Sequence, residues 1–437
     1  MFSKNWLSKN RMAASRVDSY YLATAIGRRA RPQLTGAREA DICVIGAGYT
    51  GLSCALHLAK RGMKVVVLEA EVAGFGASGR NGGQVITGQR VDQIELERRY
   101  GETRARALWD LALEAKTLVR DLIASHAIEC DEKPGHISAA VRANHATELE
   151  AYAEHLTKRY SYSSARYVPA SGMPSLVATQ NYKGGLYDTS SFHLHPLNYA
   201  LGLARAADEA GVAILENSPV VKIERGDKIR AHAPAGSVSA KFCVVGCNGY
   251  LGTLVPELAR TIMPISNYIA ATEPLGKARA EALIPSAAAV ADTKFVLDYY
   301  RLSADGRLLF GGGETYGESD IENAANLVRP HIVRVFPQLA DVRIDYAWGG
   351  RLAITMPRLP HVGRLTPNLY FAQGYSGQGV AIATLVGKLI AEAIAGQAAR
   401  FDVYESLKIP PLPGGALLRK PLLTLALLWY ALRDRLG

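Results

Sequence analysis

Cysteine is scarce in this chain: Cys43, Cys54, Cys130, Cys243 and Cys247 are the five present among 437 residues. Their number is odd and no two share a CxxC or Cys/His spacing, which argues against a disulfide framework and against a metal site. A reducing cytoplasm is the expected compartment. Long apolar runs are lacking too. Residues 1–6, MFSKNW, form no continuous apolar core, so no secretory signal is expected. Residues 421–432 are almost wholly apolar, yet as a helix they would reach about 18 Å, short of the roughly 30 Å hydrocarbon core of a bilayer. Repeats and low-complexity tracts are absent. The body of the chain also lacks a charge of one sign. The net charge is +10, but residues 1–31 hold seven Lys and Arg against Asp18 and residues 408–437 hold five against Asp434. These ends carry +6 and +4 and leave the rest neutral. A neutral body argues against a nucleic-acid groove, while two basic ends suit either solvent or an anionic membrane surface. A hydrophobic fraction of 49% and a charged fraction of 21% exclude disorder, and the length suits two to three domains.

The chain is organised around residues 41–51, DICVIGAGYTG. A short apolar run reads as a buried strand, and the glycines Gly46, Gly48 and Gly51 follow at GxGxxG spacing. Residues 52–61 read as a helix with Leu52, Ala55, Leu56 and Ala59 on one face. Gly46 permits the tight turn, Gly48 lets backbone approach a pyrophosphate, and Gly51 lets the helix pack closely on the sheet. The helix N-terminus offers free N–H groups to phosphate. Residues 64–68 form a second strand, and Glu69 stands 23 residues after Gly46, where an acid accepts hydrogen bonds from ribose hydroxyls. This is the strand–turn–helix of a Rossmann-like dinucleotide domain.

Residues 74–84, GFGASGRNGGQ, hold five glycines in eleven residues. The run is too glycine-rich for a stable helix or strand, yet it carries Ser78, Arg80, Asn81 and Gln84 as donors where the rest of a cofactor would lie. Residues 91–126 and 143–158 read as helices, 197–211 as an amphipathic helix, and 239–246 as a strand returning to the nucleotide domain. Residues 262–275, 295–302 and 307–311 read as antiparallel strands, the last two joined by the turn 304–306. Residues 324–336 are helical with a break or kink at Pro330, and 348–351 open a proline-marked loop. Residues 369–373 form a strand that leads through GYSGQGV, residues 374–380, into a helix ending near Ala395.

These motifs resemble the flavin-dependent D-amino-acid-oxidase superfamily over roughly residues 38–400. The GAGYTG, SGRNGG and GYSGQGV runs carry the likeness. The FGASGRNGGQ run, Ser19-Tyr20-Tyr21, residues 348–363 and Pro413-Gly414-Gly415 resemble the gamma-glutamylputrescine oxidases within it. The resemblance implies FAD, with pyrophosphate at Gly46, Gly48, Tyr49, Thr50 and Gly51 and ribose on Glu69. It also implies that Ser78, Arg80, Asn81, Gly82, Gly83 and Gln84 line pyrophosphate and flavin, that Val220 meets adenine, and that Gly246 lies beside the dinucleotide. Gly374, Tyr375, Ser376, Gly377, Gln378, Gly379 and Val380 would contact the pyrimidine end of the ring. No cysteine follows Cys247, so FAD is expected to be non-covalent.

Amino-acid dehydrogenases of the superfamily carry a stretch resembling WxGLRPxTPDGLP, whose arginine holds the substrate carboxylate. Here residues 348–360 read WGGRLAITMPRLP, with Leu352 at the arginine position and Arg351 one place earlier. In a strand that shift turns a side chain to the other face, which favours an amine without a carboxylate on its reacting carbon. Arg351 is then a substrate contact or a structural cation. Tyr299 and Tyr300 sit where relatives place a tyrosine over the flavin, and alternation allows at most one to reach the pocket. His361 reads as structural.

The expected fold is α/β and α+β: a Rossmann-like FAD-binding domain (38–95, 195–250, 345–400) interleaved with a substrate domain (96–194, 251–344) built on an antiparallel sheet with helices. Residues 1–37 form a basic lead-in and 401–437 a basic, apolar tail. The expected function is oxidation of a small-molecule amine by hydride transfer to flavin N5, with the imine hydrolysed to an aldehyde and oxygen or quinone accepting the electrons. The rivals are an α- or cyclic amino-acid dehydrogenase passing electrons to membrane quinone and a non-catalytic FAD-binding subunit. The tail suits either docking in a protein groove or peripheral association with the inner face of the membrane.

Overall fold

The computed structural model describes residues 19–315 and 324–413. The basic arm 1–18 and the tail 414–437, with its anchor and docking readings, lie outside the described residues.

The first strand, Gly36–Ile45, is exposed at its start and fully buried over its last four residues. It is central because it pairs in parallel on both sides, with Val65–Leu68 and with Gly236–Val245. Ala213–Leu215 extends one flank and Leu369–Gln373 the other. The chain thus winds outward in both directions from this strand, and such a reversal leaves a crevice at the strands' carboxyl ends. Gly46 stands at that crevice. The antiparallel strand His361–Thr366 closes one edge.

Helix Tyr49–Ala59 is buried over nearly its whole length between this sheet and helix Gly379–Ile394. The two helices cross closely at Gly387, where a Cβ would come 2.4 Å from Thr50 O and 2.8 Å from Cys54 N. The apolar residues Leu108, Leu111, Ala115 and Leu118 of helix Glu102–Ser125 join the same core. This helix, expected in the substrate domain, turns that stripe to the dinucleotide side and packs Trp109 on Leu156 and Tyr160.

Among the described residues the second sheet has nine strands, mostly antiparallel, with Ala289–Asp292 and Lys133–Ala139 paired in parallel. One face carries Ile137, Val290, Tyr300 and Phe310 and packs on Val328, Ile332 and Val335 of helix Ala324–Val335. That helix runs through Pro330 without ending there.

Residues 348–351, expected to open a loop, lie inside the eleven-residue strand Ile344–Ile354, which pairs along its length with Met263–Thr272. The strand belongs to the second sheet and not to the dinucleotide sheet, as does the short strand Gln84–Val85. Gly349 and Gly350 serve close approach and not a turn: a Cβ at Gly349 would come 2.9 Å from the Tyr268 ring, and one at Gly350 would come 3.1 Å from Arg80 Cβ. All five cysteines are free. Among the described residues no helix is long and apolar enough to cross a membrane, and no cluster of His, Cys, Asp and Glu is arranged to hold a metal.

Candidate active site

The turn after the first strand is shaped by its glycines. Gly46 has φ +104°, and a Cβ there would meet Gly246 O at 3.0 Å. A Cβ on Gly51 would fall 1.9 Å from Gly46 O, so only glycine lets the helix start beneath the turn. The Tyr49 amide at the helix start donates to Ser78 Oγ at 3.0 Å. Glu69 closes the end of the second strand: its Oε2 accepts from Ala47 N at 2.7 Å and its Oε1 from Glu71 N at 3.0 Å. Burial raises its carboxyl above the usual range despite these two bonds. Glu69 therefore braces the glycine turn as well as lining the cavity beside it.

The glycine-rich run is tightly tethered. Asn81 Nδ2 donates to Ala77 O (2.8 Å) and Ser78 O (3.1 Å), and its Oδ1 accepts from Gly83 N at 2.7 Å. Arg80 stacks on Phe75 at 4.5 Å and donates to Phe75 O (2.9 Å) and to Gly349 O of the second sheet (3.1 Å). Trp348 Nε1 returns a bond to Arg80 O at 3.1 Å. Both side chains, expected as donors to a cofactor, hold backbone carbonyls, and the run joins the two sheets. Gln84 Nε2 donates to Val290 O at 3.1 Å.

The third glycine segment meets the first. Tyr375 OH and Thr50 Oγ1 lie 2.6 Å apart. Gln378 Nε2 donates to Gly88 O at 2.7 Å, and Gly374 N to Asn248 Oδ1 at 2.9 Å. Gly374 (φ +74°) and Ser376 (φ +53°) turn the chain so that Gly379 and Val380 open a helix toward the same space.

Between the two sheets lies a cavity of about 1890 Å³, beyond the roughly 300–1,000 Å³ of a site for one drug-sized ligand. Gly46, Gly48, Tyr49, Thr50, Glu69, Ser78, Arg80, Asn81, Gly82, Gln84, Val220 and Gly246 line it, as do Tyr375, Ser376, Gly377, Gln378, Gly379 and Val380. Gly51, Gly83 and Gly374 are not part of this lining, and each is in close contact with its neighbours.

Tyr299 lines the cavity and Tyr300 does not. The Tyr299 hydroxyl donates to Asn267 Oδ1 at 2.5 Å. Its ring leaves no room for a side chain at Gly82 or Gly311, where a Cβ would come 2.7 and 2.0 Å from it. Tyr300 is removed from the candidate site: it is buried, 5.2 Å from Phe310 in a stacked pair and 2.8 Å from the Tyr182 hydroxyl. Arg351 lines the cavity with its Cζ 5.9 Å from the Tyr250 ring, and its amide donates to Tyr250 OH at 3.2 Å. His361 packs on Phe371, with Nδ1 2.9 Å from Thr261 Oγ1, and burial lowers its pKa to about 4.

Two groups escape sequence reading. Arg301, 3% exposed, donates to Gly82 O (2.8 Å), Leu194 O (2.9 Å), Tyr21 OH (3.2 Å) and Leu302 O (3.3 Å). Thr87, His136, Tyr162 and Asp188 line a polar end of the cavity. They come from distant segments without motif spacing; the one local signal is a charged residue within an apolar strand at Arg301.

An FAD fits this space. The three-glycine turn, the helix start at Tyr49 and the acid Glu69 form a cradle whose backbone a side chain at Gly46 or Gly51 would force apart, and residues 374–380 add a second helix start. Comparison with known proteins agrees. A family model described as FAD dependent oxidoreductase matches residues 41–393. The chain is 42% identical over 421 residues to the gamma-glutamylputrescine oxidoreductase of Escherichia coli (strain K12), covering 96% of this chain and 99% of that protein. Among solved structures, glycine oxidase from Geobacillus kaustophilus superposes with TM-score 0.70 at 19% identity, covering 82% of this chain and 95% of that one. L-proline dehydrogenase from P. horikoshii gives 0.69 at 20% identity, covering 85% and 97%. These two share the fold. With its cradle, its two interleaved sheets and a family match spanning most of its length, the chain belongs to the FAD dependent oxidoreductase family.

Proposed function

We propose that the protein oxidises an amine of the gamma-glutamylputrescine type. The observation that carries this reading is the near full-length identity to an enzyme named for that substrate, joined to a cavity that continues past the cofactor cradle along the second sheet. When bound, FAD supplies a two-electron acceptor for the hydride leaving the carbon beside the amine nitrogen. The chain's own residues position and select. Tyr299, fixed through Asn267, presents a flat wall beside Gly82, and desolvation between the sheets favours the deprotonated amine. The imine product takes up water to give an aldehyde and ammonia or a smaller amine.

FAD is held non-covalently in this reading. Cys247 beside Gly246 is the last cysteine of the chain. Burial pushes its thiol up to about 12, which leaves little thiolate to react. The electrons pass to oxygen or a quinone, and a quinone route would draw on peripheral membrane contact through residues 416–437. A second reading, oxidation of an α- or cyclic amino acid, is favoured by Arg351 in the cavity lining, where it would meet a carboxylate.

The deciding experiment is anaerobic loss of flavin absorbance with gamma-glutamylputrescine, putrescine, proline and glycine. Bleaching by the amines and not by the amino acids is expected; the reverse order would replace the first reading with the second. Flotation of full-length protein, but not of a chain truncated at residue 415, on anionic vesicles at low salt would support the membrane contact; equal behaviour would remove it.

A further inference from the structure

The cavity face of the second sheet carries residues in register. Tyr299 opposes Ala291, Ala291 opposes Ser138, and Ser138 opposes Leu186; all four line the cavity. Two residues further along the same face, His136 opposes Asp188. With strands about 4.8 Å apart, His136 lies roughly 10 Å and Asp188 roughly 14 Å across the sheet from the strand of Tyr299.

That far arm is polar and built. Asp188, 6% exposed, accepts from Ser191 Oγ (2.6 Å), Thr87 Oγ1 (2.7 Å) and Tyr162 OH (2.9 Å). Behind this lining Lys116, also 6% exposed, donates to Thr87 Oγ1 (2.7 Å), Tyr162 OH (3.1 Å) and Ser190 Oγ. The two hydroxyls thus bridge a buried carboxylate and a buried ammonium. His136, 2% exposed, lines the same arm, and its Nε2 has no hydrogen-bond partner. A buried polar atom left unpaired is costly and calls for an explanation.

We infer that this arm is a subsite for the far end of the substrate and that it takes a zwitterionic α-amino-acid head, an inference that rests on the amine-oxidation reading above. A lining of Asp188, Thr87, Tyr162 and His136, backed by the Lys116 ammonium one hydroxyl behind it, suits a charged head and not a hydrocarbon end, and His136 supplies the hydrogen-bonding capacity the protein itself leaves unused. The length agrees. In a gamma-glutamyl amide of a diamine, about eight bonds separate the reacting carbon from the α-carbon of the head, roughly 10 Å when extended. Ser138, midway along the row, is then a specificity-determining position: bulk there shortens the arm.

The test compares wild type, Ser138→Phe and His136→Leu, each FAD-loaded, by anaerobic flavin reduction with gamma-glutamylputrescine and with putrescine. The apparent affinity ratio of the two substrates is expected to fall tenfold or more in both variants. An unchanged ratio, or parallel loss for both substrates, overturns the subsite. In wild type alone, gamma-glutamyl butylamide, which lacks the reactive amine, is expected to raise the thermal midpoint while N-butylacetamide does not; equal responses also overturn it. If wild type bleaches with both amines at equal affinity, the subsite falls and the amine reading stands. If no amine bleaches the flavin yet the head analogue binds wild type and not His136→Leu, the arm stands as a head-binding site and the amine reading falls.

Discussion

Replacing Arg301 with methionine removes a guanidinium fork while keeping most of its stem. The bonds lost are those to Gly82 O, Leu194 O, Tyr21 OH and Leu302 O. Replacing a whole buried ionic group with apolar atoms can be neutral, because its desolvation cost disappears with it. Here the acceptors, three backbone carbonyls and the Tyr21 hydroxyl, remain. Leu194 and Tyr21 are fully buried, and each orphaned group costs roughly 1–3 kcal/mol. Gly82 borders the cavity, where water can replace the lost donor, so its share is about 1 kcal/mol or less. After relief of guanidinium desolvation, a net loss of about 2–4 kcal/mol is expected. Because Gly82 and Gly83 are the backbone being held, FAD retention after dilution should drop at least tenfold. Urea unfolding of the FAD-stripped and FAD-saturated protein measures both effects. Arg301→Lys keeps the charge without the fork and should recover only part of the loss. A methionine variant within 0.5 kcal/mol of wild type, with equal FAD retention, would refute the clamp.

Glu69→Ala should weaken FAD binding by roughly 2 kcal/mol or more; unbonding the Ala47 amide should also lower the stability of the FAD-free protein, and equal FAD retention with equal stability would leave Glu69 without either role. Arg351→Ala is expected to impair flavin reduction by the true substrate while FAD stays bound, and loss of FAD or of folding would favour the structural reading. Acid should destabilise the protein early: burial holds His57, His136 and His361 at about 4 and His193 and His195 at about 3. As pH falls below 6.5 the unfolded chain binds protons that the folded chain does not, so this stability is present above pH 6.5 and lost as pH falls toward those values. At pH 5.5 each histidine costs about 1.4 kcal/mol, and a urea midpoint equal at pH 7.5 and 5.5 would contradict it.

What the sequence determined by itself is local. The apolar run before Gly46, the glycine spacing and the helical period after it lie within one strand–turn–helix, so physics acting over a few residues suffices to read them. Leu369–Gln373 and the helix that follows were legible for the same reason. The expected antiparallel strands form, because alternation and the turn 304–306 are local too. Tertiary structure decided the rest. Trp348-Gly349-Gly350-Arg351 reads as loop because paired glycines usually mark turns; it is strand because Met263–Thr272 supplies its hydrogen bonds and the Tyr268 and Arg80 side chains fill the places of the missing Cβ atoms. Arg80 and Asn81 look like free donors in a flexible run, and only folding brings Gly349 O, Phe75 O and Ala77 O within their reach. Tyr299 and Tyr300 are chemically alike, and the helix Ala324–Val335 packed on one sheet face decides which of them reaches the cavity. Arg301, His136 and Asp188 carry no spacing signal, since their partners lie on strands distant in sequence and adjacent only through the sheet's register.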